Sequence, residues 1–327
     1  MQSQPQASDR TTLRTSLLGF SQFELATEVF MSFTGDQIIL MIDRILLATD
    51  FSPASEIATS YARAVAKRFS STLTLVNVID LSIATRSESA VVGEPIDEMR
   101  RTSTNNLERL LNDLSSTGIR AEAHALESHN PAAAIVALAD EQESDLIIVG
   151  THARRGLSKL ILGSCAEGVI RHATCPVLTI GPNVKEPPAD DFSFSSIVFA
   201  TDLGADAVRK AAVALSLAKD SVGKIYLCHI FKHPGKTAAD TLDQQLKFEA
   251  ALEKLVPSSS YDWCYSDTIV EQGDVVPHIL DTAKNVKAKL FVLGAKTGPR
   301  LLARFGAGVV GDVVAKAECP VMTIGSV

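Results

Sequence analysis

Cysteine is scarce in this chain and is not patterned. Five residues, Cys165, Cys175, Cys228, Cys264 and Cys319, include no C-x-x-C pair. An odd number of unpaired thiols argues against a disulfide framework or a zinc site and fits a reducing, cytoplasmic setting. No apolar run approaches the roughly 20 residues that a membrane span needs, so no membrane contact is expected. An excess of positive charge is also missing: the formal net charge is -7, which argues against a nucleic-acid surface, where clustered Lys and Arg meet phosphates. There is no G-x-x-x-x-G-K-[ST] and no G-x-S-x-G, which excludes a P-loop NTPase and a nucleophile elbow. Gly306 to Gly311 does spell G-x-G-x-x-G. It lacks a convincing strand before it and room for the acidic residue about 20 positions on, so it reads as a glycine-rich helix entry.

What remains is a globular composition, 46% hydrophobic and 21% charged over 327 residues, long enough for two domains. The opening MQSQPQASDR is polar, and LLGF is too short for the apolar core of a signal sequence. Residues 1–40 are expected to be a disordered extension, with Met31 and Met41 standing just before the first strong strand.

Beyond it the chain repeats. RILLATDFSPAS from Arg44 returns as SIVFATDLGADA from Ser196, 152 residues on. LTLVNVI from Leu73 returns as IYLCHIF from Ile225 at the same shift. DLIIVGTHARRG from Asp145 returns as KLFVLGAKTGPR from Lys289, and CPVLTIG from Cys175 as CPVMTIG from Cys319, both 144 residues on. Two long copies that keep their order and differ by one internal deletion are two domains rather than stacked small repeats. The expected units are 41–183 and 195–327, joined by the polar, proline-bearing linker 184–194.

Within each copy, short apolar strands alternate with helices. Ser52-Pro53 and Asn130-Pro131 are helix starts: the first residue can cap, and a proline at the first helical position has no amide proton to lose. The first copy predicts strands over 45–48, 73–78, 121–126, 146–149 and 177–180, the third at an edge. Continuous apolar strands separated by helices imply an α/β fold: two tandem, open, parallel five-stranded sheets with helices on both faces, Rossmann-like.

Ligands of such sheets sit beyond the carboxyl ends of the strands, where strand order reverses. In the first copy that places Ala48, Thr49 and Asp50 after the first strand, Val78 after the second, and the loop from Gly150 to Ser164 after the fourth. Gly163-Ser164 precedes a helix, whose free amides and dipole favour an anion, and glycine lets phosphate oxygens come close. Cys165 follows in the first turn. His152, Arg154, Arg155 and Lys159 lie in the same loop, and three of these are fixed cations in an acidic protein. Asp50 has no second carboxylate to share a metal, so contact with a base or ribose is its expected role. Ser164 has no nearby histidine base, and no catalytic residue is expected.

At these residues the chain resembles the universal stress protein family. The loop matches its G-x2-G-x9-G-[ST] signature at Gly150, Gly163 and Ser164. ATDFS at Ala48 to Ser52 resembles its first-strand end, and Val78 matches a base-contacting position. The resemblance covers about 43–181 and 196–326. It implies an adenine nucleotide alpha hydrolase-like fold, ATP as ligand, brought with or without Mg2+, and dimer-like pairing through the last strands. Here that pairing would join Val177 to Ile180 with Val321 to Ile324 inside one chain, leaving room for a homodimer or another protein partner. It also implies a part in resistance to stress. Ala153 departs from the signature's second glycine; if a positive φ is needed there, alanine costs about 1–2 kcal/mol. The second copy departs further, with Thr297 at that glycine and Ala307-Gly308 in place of Gly163-Ser164, so it is expected to bind weakly or not at all. The competing readings are a nucleotide-free dimerisation scaffold and a slow ATPase or self-phosphorylating enzyme.

Overall fold

The computed structural model describes residues 31–34, 37–84, 93–152, 162–188, 192–221, 223–262, 264–295 and 306–325. Ala153, Arg154, Arg155 and Lys159 lie outside them, as does the span 12–30. Within 31–40, β1 (Met31–Thr34) and β2 (Gln37–Leu40) form an antiparallel pair.

The first copy runs β3 (Arg44–Ala48), α1 (Pro53–Phe69), β4 (Thr72–Asp80), α2 (Leu81–Ala84), α3 (Gly93–Ser116), β5 (Ala121–Ser128), α4 (Pro131–Glu141), β6 (Leu146–Gly150), α5 (Ser164–His172) and β7 (Val177–Ile180). The second runs β8 (Ser196–Ala200), α6 (Ala207–Asp220), β9 (Lys224–Phe231), α7 (Ala238–Glu253), β10 (Tyr265–Gln272), α8 (Val275–Asn285), β11 (Leu290–Ala295), α9 (Gly306–Lys316) and β12 (Val321–Gly325). Both expected caps form. The Ser52 side chain accepts from the Ser55 amide at 3.4 Å and that of Asn130 from the Ala133 amide at 3.2 Å. Each holds an orphan donor of a helix that opens on proline.

The strands are not two separate sheets. They form one ten-stranded sheet in the order β10-β9-β8-β11-β12-β7-β6-β3-β4-β5. Within each copy every pairing is parallel. At the centre β12 and β7 run antiparallel, with Met322 opposite Leu178. Each of these last strands would otherwise be an open edge, and an apolar edge with unpaired amides is satisfied by the nearest like strand. The fusion makes the two faces common property. One core holds Leu47, Ile148 and Leu178 with Ile197, Val292 and Met322. The other holds Leu46, Ile147 and Val177 with Val198, Phe291 and Val321. Neighbouring residues of one strand fall into opposite cores, as the two-residue period of a strand buried on both faces requires. Among the described residues, no helix is long and apolar enough to cross a membrane.

Candidate functional site

Strand order reverses in the first copy between β3 and β6: β4 and β5 follow on one side of β3, β6 and β7 on the other. Ala48 pairs with Val76 on one flank and with Val149 on the other, so the chain after β3 and after β6 emerges at one end of the sheet. This is the switch point of a doubly wound fold.

The turn after β3 is tightly specified. Thr49 is buried and Asp50 is exposed. The Thr49 Oγ1 accepts from the Phe51 amide at 3.1 Å, and Asp50 Oδ1 accepts from the Ser52 amide at 3.1 Å and from the Ser55 hydroxyl. The Asp50 amide in turn donates to Ser55 Oγ at 3.2 Å. This clasp holds Phe51 at φ 58°, left-handed backbone that costs a non-glycine residue about 1–2 kcal/mol. The second copy repeats it: Leu203 stands at φ 57°, with Thr201 Oγ1 accepting from its amide at 3.0 Å and Asp202 Oδ1 from the Gly204 amide at 3.0 Å. Asn77 completes the first-copy turn, donating to the Thr49 carbonyl at 2.7 Å while accepting from Ser103 at 2.7 Å. Its counterpart His229 contacts the Thr201 carbonyl through Nδ1 at 2.9 Å.

Burial opposes ionisation of Asp50. The hydroxyls of Ser52 and Ser55, the Ser52 amide and the nearby His152 outweigh it and hold the carboxyl below its usual value. The sign of the linkage follows. Asp50 contributes stability above the ordinary carboxylate value and loses it as pH falls through the lower folded-state value. Asp50→Asn should therefore lower the urea midpoint near neutrality, with the gap to wild type closing from about pH 5 downward. Parallel unfolding curves at all pH values would show that the clasp stores no protonation energy.

Gly150 ends β6. A Cβ there would lie 2.6 Å from the Ala54 carbonyl oxygen, so the strand end packs directly on the first turn of α1 and only glycine fits. Thr151 and His152 follow, buried and exposed respectively. The chain reaches the site again at Gly163, the cap of α5, whose amide donates to Thr151 Oγ1 at 3.1 Å. Glycine at the cap position has no side chain to bond the first-turn amides of α5, the kind of helix start that favours an anion. Ser164 is exposed and Cys165 half-buried. Burial pushes the Cys165 thiol up to about 11, with the carboxylates of Asp50 and Asp80 adding to it, which makes it a poor nucleophile. The ends of β3 and β6 lie side by side in the sheet, and the start of α5 is tied to the end of β6 by the bond from the Gly163 amide to Thr151.

Val78 lies inside β4 rather than after it. The strand continues through Ile79-Asp80, pairing with β5 as far as Ser128, and half-buried Val78 packs beside the second core. Ser55, Asn77 and Thr151 were not read from sequence. The threonine at 49 and 201 was a usable signal, because both copies keep it and both use it to shape the turn. Among the described residues, no group of three or more His, Cys, Asp or Glu is placed to hold a metal ion.

The same mouth in the second copy differs. Gly294, the counterpart of Gly150, faces a side chain instead of backbone: a Cβ on it would lie 2.9 Å from Lys210 Nζ. Lys210 is buried and paired with Asp206 at 3.5 Å. Asp206 caps α6 by position but makes no side-chain capping bond. The last helix of this copy, α9, starts at Gly306.

Comparison with known proteins agrees with this architecture. The model of the Universal stress protein family matches twice, over residues 41–181 and 193–325. A universal stress protein of Methanocaldococcus jannaschii is 32% identical over 144 residues, 44% of this chain and 84% of its own. A Staphylococcus aureus protein bearing the same family name is 36% identical over 151 residues, 45% of this chain and 87% of its own. Among solved structures, a universal stress protein from Archaeoglobus fulgidus superposes with a TM-score of 0.64 at 19% identity, covering 88% of this chain and 99% of its own, a likeness of fold.

Proposed function

The chain belongs to the universal stress protein family, and from that premise we propose that its first copy binds one adenine nucleotide, ATP first, as a stress-response or regulatory module of the cytoplasm. The observation that carries the proposal is the start of α5 at a glycine bonded to Thr151 at the end of β6, the strand beside β3 and its clasped Asp50 turn. Phosphates suit the first site, where backbone donors and the positive helix end meet. The base and ribose suit the second, where Ala48, Thr49 and Asp50 present a shaped wall beside Val78. Gly150, His152, Ala153 and Arg154 would line the connecting loop, and Ser164 and Cys165 the first turn of the helix. The residues fit a triphosphate; a magnesium ion, where present, would arrive with it rather than on a protein cluster.

The second copy is proposed as the weak or silent partner. The Lys210–Asp206 pair stands beside its switch point, where the first copy keeps the backbone of α1. Occupancy of the first copy would then act on the rest through the shared sheet. Titration calorimetry of the full chain with ATP and Mg2+ is expected to show one site per chain, with a Kd below about 1 mM. No heat at that concentration would leave the chain as a nucleotide-free scaffold.

A further inference from the structure

Helix α6 is buried on every side from Lys210 to Ala218, and its counterpart in the first copy is not. The residues of α6 that face the sheet, Ala207, Lys210, Val213, Ala214, Leu217 and Ala218, take the places of the buried residues of α1. On its opposite face stand Ala211, Ala212, Leu215 and Ser216, exposed by only 0, 6, 4 and 9%. The same positions on α1 are Thr59, Ser60, Arg63 and Ala64, all only half-buried. A helix whose outer face is as apolar as its inner one is a helix that something covers from outside. The cover is β2, which packs against α6. The segment leading into the first copy therefore lies on the second.

The reciprocal contact exists. Phe192 and Phe194, in the segment leading into the second copy, stand 152 residues after Leu40 and Ile42. Phe192 meets Tyr61 of α1 edge-on at 5.9 Å, and its carbonyl accepts from Arg68 Nη1 at 3.4 Å. Phe194 and Ile42 are both buried in the same core. Each leader thus crosses to the first helix of the other copy, related by the same pseudo-twofold that sets β7 beside β12.

We propose that residues 37–42 are a strap, and that the outer face of α6 is the docking surface for it. The reciprocal Phe192 contact, made on Tyr61, shows that a leader reaches the first helix of the other copy; the covered outer face of α6 and its packing with β2 say where this one lies. The sequence of β2, with its run Ile38-Ile39-Leu40, is as apolar as the α6 face that has exchanged Thr, Ser and Arg for Ala, Ala and Leu. The strap clamps the second copy to the first from outside the sheet. Its release uncovers an apolar helix face that a second copy of the chain can then take. The proposal does not depend on nucleotide binding.

Hydrogen exchange on the full chain tests it. Ile38 and Ile39 lie outside both family-matched segments, so Ile38→Asp with Ile39→Asp leaves the two domains free to fold. Amides of 207–220 are expected to exchange roughly tenfold faster than in wild type while those of 53–69 stay unchanged. Sedimentation velocity on the same sample shows how the uncovered face is met. A dimer, or a monomer with fast exchange in α6, supports the strap; a monomer with wild-type exchange in α6 overturns it. The converse variant, Ala212→Glu, is expected to speed exchange and proteolysis at 31–40, and unchanged rates there would also overturn it.

Discussion

Gly163→Asp is expected to abolish ATP binding to the full chain while leaving its circular dichroism intact. Two effects add. A Cβ at position 163 would sit 3.1 Å from Thr151 Oγ1, a tight contact that shifts the hydroxyl by a few tenths of an ångström. The carboxylate would then lie at the one place where the helix offers positive potential, facing phosphates of the same sign. It would also cap α5 itself, consuming an amide that the ligand needs, since aspartate is among the best capping residues. The variant should therefore be no less stable than wild type, yet bind at least about 100-fold more weakly, a loss of roughly 3 kcal/mol. Gly163→Ala separates the contributions: it keeps the contact with Thr151 and omits the charge. Its affinity should fall between the two. Wild-type affinity in Gly163→Asp, measured by calorimetry, would place the nucleotide elsewhere.

Much of this site was legible because its signals are local. Ser52-Pro53 and Asn130-Pro131 announce helices through capping chemistry that depends on neighbours in sequence, and both helices begin there. The glycine at 150 is demanded by its close approach to the backbone of Ala54, and the one at 163 lies near the Thr151 hydroxyl; their loop spacing had already singled both out. What was missed depends on partners far along the chain. Asn77 matters because Ser103 and Thr49 flank it, and nothing within a few residues of it says so. Val78 was placed at the end of a strand expected over 73–78, whereas the strand runs on through Ile79 and Asp80 and pairs with β5 as far as Ser128. The strap was hidden for a different reason. The apolar face of α6 is written in AVRKAAVALSLAKD, but only three-dimensional neighbours tell what covers it. Polar residues such as Thr59 and Ser60 mark an open face on α1. Ala211 and Ala212 at the matching positions mark a covered one without naming the cover.

Gly181→Val is expected to part the two copies. Gly181 follows β7 at the centre of the ten-stranded sheet, and a Cβ there would lie 2.1 Å from the carbonyl oxygen of Val314 and 3.2 Å from its carbonyl carbon. That neighbour is the backbone of α9, in the other copy, so no side-chain rotation relieves the clash; the copies must separate or the strand end must bend. The junction that resists this is short. Among the described residues it includes the Val177 to Thr179 ladder against Val321 to Thr323, bonds from Asn183 Nδ2 to the Ala315 carbonyl at 3.1 Å and from Thr323 Oγ1 to the Val177 carbonyl at 3.4 Å, and the apolar cores shared across it. A misfit of backbone against Cβ exceeds ordinary overpacking, so the cost should reach about 3 kcal/mol or more. Urea unfolding followed by fluorescence and circular dichroism should then split into two transitions, one per copy, while small-angle scattering shows a larger radius of gyration. The parted edges β7 and β12 would be free to pair with those of another chain, so the variant should also associate as its concentration rises. Covalent linkage ordinarily makes that pairing intramolecular, at an effective concentration no free partner matches. If the variant unfolds in a single transition at the wild-type midpoint, the central ladder is not what holds the copies together, and the cohesion must come from the leaders that cross outside the sheet.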